Sequence, residues 1–361
     1  MKRRDFIATA AGGMAASTLA APAIAQAPTV KWRITTSWPK SLDTTHGSVE
    51  AVAKRVHGLT EGRFDIRVFA AGEIVPGLQV FDAVQNGTVE AGHTLSAFYF
   101  GKRPAYGFDS GLAFGLNSRQ FHAWLYQAGG LEMIRAVFKK DGMTTFPCGN
   151  VGVQMGGFWK KEILGPEDLK GVKMRIGGLG GRIMAKLGVI PQQIAPGDLY
   201  PALERGTIDA AEFIGPYDDE KLGLHKVAKY YYTPGWWEGS ANESMLISLK
   251  AWEALPPSFK EAFEVACYEQ ALLGVAKYDV VNPPALQRLA AAGTQIKQFP
   301  RTVMDAAYTA SFETFDEIAA ADADFKTIYG PFKQFLEESN FWFRVAEFPL
   351  DAYRFSKPLP K

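Results

Sequence analysis

From residue 32 to 38 the run WRITTSW has the β-branched and aromatic density of a strand. THGSVEAVAKRVHGLTEG then sets apolar residues at helical spacing up to Gly62, and FDIRVFAAGEI alternates apolar and polar positions as a second strand. These three segments predict a β-α-β unit. Next come PGLQVFDAVQNGTVEAGH, Pro76 to His93, and about 120 residues later PGDLYPALERGTIDAAEF, Pro196 to Phe213. Each has Pro-Gly, a short amphipathic helix and a glycine at the helix end, Gly87 or Gly206. Gly87-Thr-Val-Glu-Ala matches Gly206-Thr-Ile-Asp-Ala position for position. From Pro256 to Ala292 and from Thr302 to Phe343 helical periodicity dominates, with a break expected at Asn282-Pro283-Pro284.

The repeat predicts an α/β fold of two similar lobes with a ligand cleft between them and long C-terminal helices outside the sheets. Residues 26–150 form the first lobe and 151–239 the second. Residues 240–361 return to the first lobe and supply hinge and association helices. In open α/β sheets ligands sit beyond the carboxyl ends of strands. The residues just after each repeat, Ser96 to Phe100 in one lobe and Glu212 and Phe213 in the other, are therefore expected at the cleft, with hinge crossings near Val151 and Gly239.

The amino terminus changes this picture in one respect. Arg3-Arg4, Phe6, a weakly apolar Ala- and Gly-rich stretch and Ala23-Ile24-Ala25 read as an export signal of the twin-arginine type over residues 1–25. Its removal takes away three basic residues and one acidic residue, moving the net charge from +1 to −1. That balance speaks against nucleic acid or an anionic membrane as partner. Two cysteines, Cys148 and Cys267, cannot staple a chain of 361 residues; they read as separately buried thiols, with pairing in an oxidising compartment as the alternative.

The glycine-rich segment VKMRIGGLGG, Val172 to Gly181, invites a phosphate-loop reading that its spacing does not support. With Gly178 and Gly180 as the first two glycines of a dinucleotide fingerprint, Ile183 stands where the third is needed, and Gly181-Arg182-Ile183 replaces Gly-Lys-Ser or Gly-Lys-Thr. The glycines read instead as a tight strand-to-helix turn. Arg175, at the end of an otherwise buried strand, needs an anion, and a guanidinium offers a carboxylate two parallel hydrogen bonds; an internal salt bridge or a surface position is the alternative. There is no Gly-x-Ser-x-Gly elbow, His-Glu-x-x-His or Cys-x-x-Cys, and the five histidines are dispersed. Asn150, Gln154, Glu212, Glu238 and Asn242 supply oxygen donors suited to a hard cation, or serve as ordinary polar loop residues.

EDLKGVKMRIGG (Glu167 to Gly178), PCGNVGVQMGG (Pro147 to Gly157), DAAEFIGPYDDEKLGLHKVAKYYYTPGWWEG (Asp209 to Gly239) and the leader together resemble the substrate-binding proteins of tripartite ATP-independent periplasmic (TRAP) transporters, in the branch that binds 2-oxo acids such as pyruvate, or lactate. The resemblance implies a periplasmic protein that delivers a small monocarboxylate to membrane permease subunits, without catalysis. It implies that Arg175 grips the ligand carboxylate, and that a calcium or sodium ion is held by Gln154, Glu212, the backbone of Phe213, and Glu238. Asn150, Gln154, Phe213 and an aromatic such as Tyr99 would complete the ligand contacts, with Trp38 and Trp236 excluding water. Phe213 departs from the tryptophan common in the branch, which points to a roomier pocket.

Two alternatives stand beside this reading. One is an exported enzyme using Glu212 or Glu238 as acid or base on a small carboxylic acid. The other is a binding protein for a larger acid, a dicarboxylate or sugar acid, with Arg182 or Lys173 as second anion partner. Ala262, Phe263, Ala266, Ala271, Leu272, Val275 and Ala276 form an apolar stripe on the helix from Ser258 to Ala292. Either residues 302–343 cover it or it joins two copies, and the resemblance favours a homodimer.

Overall fold

The computed structural model describes residues 28–358, so the predicted leader lies outside the described residues. Two sheets form the core. The first has the order β2-β1-β3-β10-β4, from Phe64–Phe69, Val30–Thr36, Ala91–Thr94, Asn242–Ser248 and Met143–Asn150. The second has the order β11-β9-β5-β8-β6-β7, from Gln295–Gln298, Tyr230–Thr233, Phe158–Trp159, Ala210–Ala211, Lys173–Arg175 and Ile190–Gln192. β1 runs parallel to β2 and β3, and the helix Thr45–Leu59 crosses over between β1 and β2, burying Val49, Val52 and Val56 against the sheet.

The repeat has a geometric basis. The helices Val80–Gln85 and Leu199–Glu204 both end in a left-handed glycine, Gly87 (φ 71°) and Gly206 (φ 76°). The N–H groups of Thr88 and Thr207 then donate back to the carbonyls of Ala83 and Ala202, at 2.8 and 3.0 Å. Each turn sends the chain into the strand beside the cleft, β3 in one lobe and β8 in the other.

The chain crosses between lobes at Val151 and Ala241, where Val151 N–H donates to Ala241 C=O at 3.0 Å. Beyond that point it does not simply return to the first lobe, as expected from the sequence. β10 enters the first sheet, but β11 pairs with β9 in the second. The two are joined by the short helix Leu249–Glu253 and the long helix Pro257–Ala291, which runs unbroken through Pro283 and Pro284. Those prolines remove the donors to the carbonyls of Asp279 and Val280, both on exposed residues open to solvent. Asn282 Oδ1 meanwhile accepts from Tyr217 N–H at 3.1 Å and ties the helix to the second lobe.

The apolar stripe on this helix is divided: its first part packs on the first sheet rather than under residues 302–343, and its later part reaches the surface. Phe263, Ala266 and Cys267 pack under the first sheet with Trp32, Phe64 and Phe146, while Leu272 and Ala276 are exposed. The helices Arg301–Ala321 and Ala323–Val345 meet at Asp322, whose side chain caps the second by accepting from Phe325 N–H at 2.7 Å. They and the terminal helix Glu347–Phe355 leave Phe341, Trp342, Val345, Phe348, Tyr353 and Phe355 exposed. Cys148 and Cys267 are free thiols, buried and adjacent, and burial with the neighbouring Cys267 pushes the Cys148 thiol well up. Among the described residues no helix is long and apolar enough to cross a membrane.

Candidate functional site

A cavity of about 30 Å³ lies between the lobes, at the carboxyl ends of β1, β3, β6 and β8. Trp38, Leu95, Ala97 and Phe98 line it from the first lobe, and Gln154, Arg175, Glu212, Phe213, Trp237 and Glu238 from the second and its crossings.

Arg175 is buried at the end of β6, while Lys173, two residues earlier on the same face of the strand, is exposed. Its Nη1 donates to Glu212 Oε1 at 2.5 Å and to Glu212 C=O at 2.6 Å, and its Nε donates to Ile194 C=O at 3.1 Å. Nη2 makes no hydrogen bond with a described residue, so one terminal nitrogen of a rigidly held guanidinium stays available. The rings of Phe98 and Phe213 flank the guanidinium carbon at 5.9 and 5.8 Å. This apolar setting strengthens any ion pair made there.

The glycines after Arg175 bring the lobes together. Gly178 has φ 58°, and a Cβ on it would stand 2.7 Å from Ala97 C=O in the opposite lobe. Gly180 would meet Trp237 at 3.0 Å. The turn therefore needs glycine for close approach and for its left-handed backbone.

Three carboxyls, Glu212, Glu238 and Glu243, line the cavity with this single guanidinium. Burial pushes Glu212 up to about 7 against the opposing pull of Arg175. Glu238 is pushed well above the carboxylate range by burial and then by the charge of Glu212, with Arg175 and the Gln154 amide opposing. Gln154 Oε1 accepts from Trp237 Nε1 at 3.2 Å, which fixes the amide beside both acids. Among the described residues no group of three His, Cys, Asp or Glu side chains is placed to hold a metal ion by itself. A cation here would rest on two carboxylates, the Gln154 amide and a backbone carbonyl, which is the oxygen set of a hard cation. The residues fit such an ion, because a positive charge between Glu212 and Glu238 would relieve their mutual repulsion and desolvation.

Of the residues singled out in the sequence, Gln154, Arg175, Glu212, Phe213 and Glu238 meet at this cavity, and Asn150 and Tyr99 do not line it. Asn150 spends its amide on the hinge: Oδ1 accepts from Ser118 Oγ and Gly152 N–H, both at 2.9 Å, and Nδ2 donates to Ser240 Oγ at 2.8 Å. Tyr99 turns into the first lobe, its hydroxyl 3.1 Å from Thr94 Oγ1 and 3.3 Å from Phe81 N, so Phe98 is the aromatic that faces the cavity. Trp237 likewise stands where Trp236 was expected, because Trp236 stacks on Phe114 at 5.3 Å. Neither Lys173 nor Arg182 lines the cavity, which leaves Arg175 as its cation among the described residues. Glu243 is a lining residue that the sequence pattern did not single out.

The rim carries its own interlobe contacts. Asp43 of the first lobe pairs with Lys221, with Tyr217 OH at 3.2 Å and with Lys277 at 3.0 Å. Thr44 Oγ1 donates to Asp218 Oδ1 at 2.7 Å, and Tyr278 OH donates to the other Asp218 oxygen at 2.7 Å.

Residues 34–322 match the family model of bacterial extracellular solute-binding proteins, family 7. The chain belongs to this family. It is 49% identical over 360 residues, 98% of this chain and 99% of the relative, to the monocarboxylate 2-oxoacid-binding periplasmic protein of Nostoc sp.. Among solved structures it is similar to a TRAP transporter solute-binding protein of Bordetella bronchiseptica, at 56% identity and a TM-score of 0.90, covering 91% of this chain and 98% of that one. That protein is a mixed-occupancy dimer with copurified calcium and picolinate in one active site and the other apo. A TRAP periplasmic solute-binding protein of Pseudoalteromonas atlantica, with bound sodium and pyruvate, is 34% identical with a TM-score of 0.87, over 91% of this chain and all of that one. The two-lobed fold expected from the repeat is thus that of a solute-binding family.

Proposed function

We propose that this family member is a periplasmic TRAP receptor that closes on a small 2-oxo or 2-hydroxy monocarboxylate together with a calcium or sodium ion, and passes it to the permease subunits. The observation that carries the reading is Arg175, buried and held rigid, facing Glu212, Glu238 and Gln154 across one small cavity. In this reading the free Nη2 of Arg175 takes the ligand carboxylate. Gln154, Glu212, the Phe213 carbonyl and Glu238 hold the cation, which when bound supplies a positive charge for the carboxylate and the adjacent oxo or hydroxyl oxygen. Trp38, Phe98 and Phe213 exclude water and limit chain length. No proton transfer is required of Glu212 or Glu238, both of which are spent as cation ligands.

The lack of a second cationic side chain in the cavity favours a monocarboxylate over a dicarboxylate or sugar acid. The ligands named for the relatives from Nostoc, Bordetella and Pseudoalteromonas point the same way. Residues 1–25 are read as a Tat-type leader consistent with a periplasmic site. The exposed aromatic face of the two C-terminal helices is read as the surface through which two copies associate. A thermal-shift screen of carboxylates with and without calcium or sodium, after chelation, tests the assignment. Short 2-oxo and 2-hydroxy acids should raise the melting temperature in a metal-dependent way, and a larger shift from dicarboxylates would overturn it.

A further inference from the structure

Glu243 stands on β10 where the pairing with β4 slips. Asn242 faces Asn150 but Ser244 faces Pro147, so Glu243 alone opposes Cys148 and Gly149. Such a bulge re-aims the side chain beside it, and here Glu243 becomes part of the cavity wall at the hinge. The backbone comes close enough that a Cβ on Gly149, at φ 157°, would stand 2.3 Å from Glu243 Oε2.

This carboxyl is 2% exposed, yet neither of its oxygens accepts a hydrogen bond from a described residue, and Oε1 is fully hidden without a partner. His93 is the nearest basic group, with Nε2 4.0 Å from Oε2. It is already committed. Its Nδ1 accepts from Trp38 Nε1 at 2.8 Å, so its Nε2 carries the proton and points it at Cys148 C=O, 3.2 Å away. The imidazole is therefore spent on positioning Trp38, another wall of the cavity. A buried carboxyl without partners is costly to keep, and a cavity-lining position is where a ligand can supply the missing donor.

We propose that Glu243 is a specificity-determining residue that accepts a hydrogen bond from a hydroxyl on the ligand's chain, and so favours short hydroxylated acids over their unsubstituted counterparts. A carboxyl oxygen can accept in this way whether or not the group is ionised. The inference rests on the carboxylate-binding reading of the same cavity, in which Arg175 and the cation hold the ligand's carboxylate and 2-oxo groups. Glu243 would then read what lies beyond them.

Pyruvate and 3-hydroxypyruvate differ by one hydroxyl on the third carbon and share the groups that Arg175 and a cation would hold. By calorimetry on the calcium-loaded protein, Glu243→Met should lower the ratio of 3-hydroxypyruvate to pyruvate affinity about tenfold, leaving pyruvate within about threefold of wild type. Glu243→Gln keeps an acceptor oxygen, and its ratio should stay close to wild type. An unchanged ratio in a folded Glu243→Met protein overturns the proposal. Should that variant fail to fold, a crystal structure of the wild type with 3-hydroxypyruvate decides: the hydroxyl within hydrogen-bond distance of a Glu243 oxygen supports the assignment, and a water there with the hydroxyl elsewhere refutes it. A wild type that does not bind pyruvate would remove the carboxylate reading and this inference with it, whereas normal pyruvate binding with an unchanged ratio removes this inference alone.

Discussion

Arg175 and Glu212 hold one another, with one guanidinium nitrogen donating to both the side-chain and the main-chain oxygen of the glutamate at 2.5 and 2.6 Å. The pair ties the end of β6 to the end of β8 and leaves Arg175 Nη2 facing the cavity. Arg175→Ala therefore strikes twice: it removes the anion partner and leaves Glu212 buried without compensation. Pyruvate affinity should fall by at least about a hundredfold, and unfolding free energy by roughly 3 kcal/mol. Arg175→Lys keeps the charge but not the fork, and should lose nearly as much affinity. Calorimetry and urea unfolding measure the two effects, and wild-type affinity in either variant would contradict the site assignment.

Asp43 draws Lys221, Tyr217 and Lys277 onto the cleft rim, joining the loop after β1 to the second lobe and the long helix. Burial raises its carboxyl, but the two ammonium groups outweigh this and hold it down at about 2. The latch is thus intact at neutral pH, and it is lost only as acid protonates Asp43 below its ordinary range. Asp43→Ala should speed ligand release several-fold in stopped-flow experiments without changing the order of preference among carboxylates. A changed preference would show that the rim contacts the ligand rather than the closed state.

The repeat, the Arg175 strand and the acids of the cavity were legible in the sequence because each leaves a local pattern: a left-handed glycine at a helix end, an arginine in a buried strand, acids just beyond strands. The misplaced residues fall where local periodicity fails. Ser96–Tyr99 is a 3₁₀ turn, whose three-residue period sends Phe98 to the cavity and Tyr99 into the lobe. Glu243 lies in a strand, but the bulge at Cys148–Gly149 that turns it into the cavity is a property of the partner strand. Asn282-Pro283-Pro284 reads as a break, and only packing on the first sheet and on the second lobe keeps the helix whole.

Asp219 supplies a pH signature. Burial pushes its carboxyl up to about 7, despite the Tyr231 hydroxyl at 2.7 Å and the Ile214 N–H at 3.3 Å. Between its unfolded value near ~4 and that folded value, the native state binds a proton that the unfolded state has lost. Its contribution is therefore fully present below ~4 and declines by roughly 1.4 kcal/mol per pH unit up to about 7. Asp219→Asn, which cannot titrate, should flatten that part of the curve. Parallel stability profiles for the two proteins from pH 4 to 7, by urea unfolding, would refute this.

Trp342, Phe348 and Tyr353 leave an apolar face on the terminal helices, each more than half exposed. A surface of that kind marks an association site. Light scattering should give about twice the 39.6 kDa chain mass, and the double variant Trp342→Asp, Phe348→Asp should give the monomer. A monomeric wild type at micromolar concentration would exclude a stable interface.

The central claim is that a cation and Arg175 hold one carboxylate ligand together. Isothermal titration of pyruvate into exhaustively chelated protein, then into the same protein with calcium or sodium restored, tests it most directly. Binding should be at least about tenfold weaker without metal, since two buried carboxylates then face the ligand uncompensated. Glu238→Gln should shift the calcium dependence to higher concentration, with saturating metal recovering part of the affinity. Equal pyruvate affinity in the chelated and metal-loaded protein would contradict the account and leave Arg175 as the sole anchor.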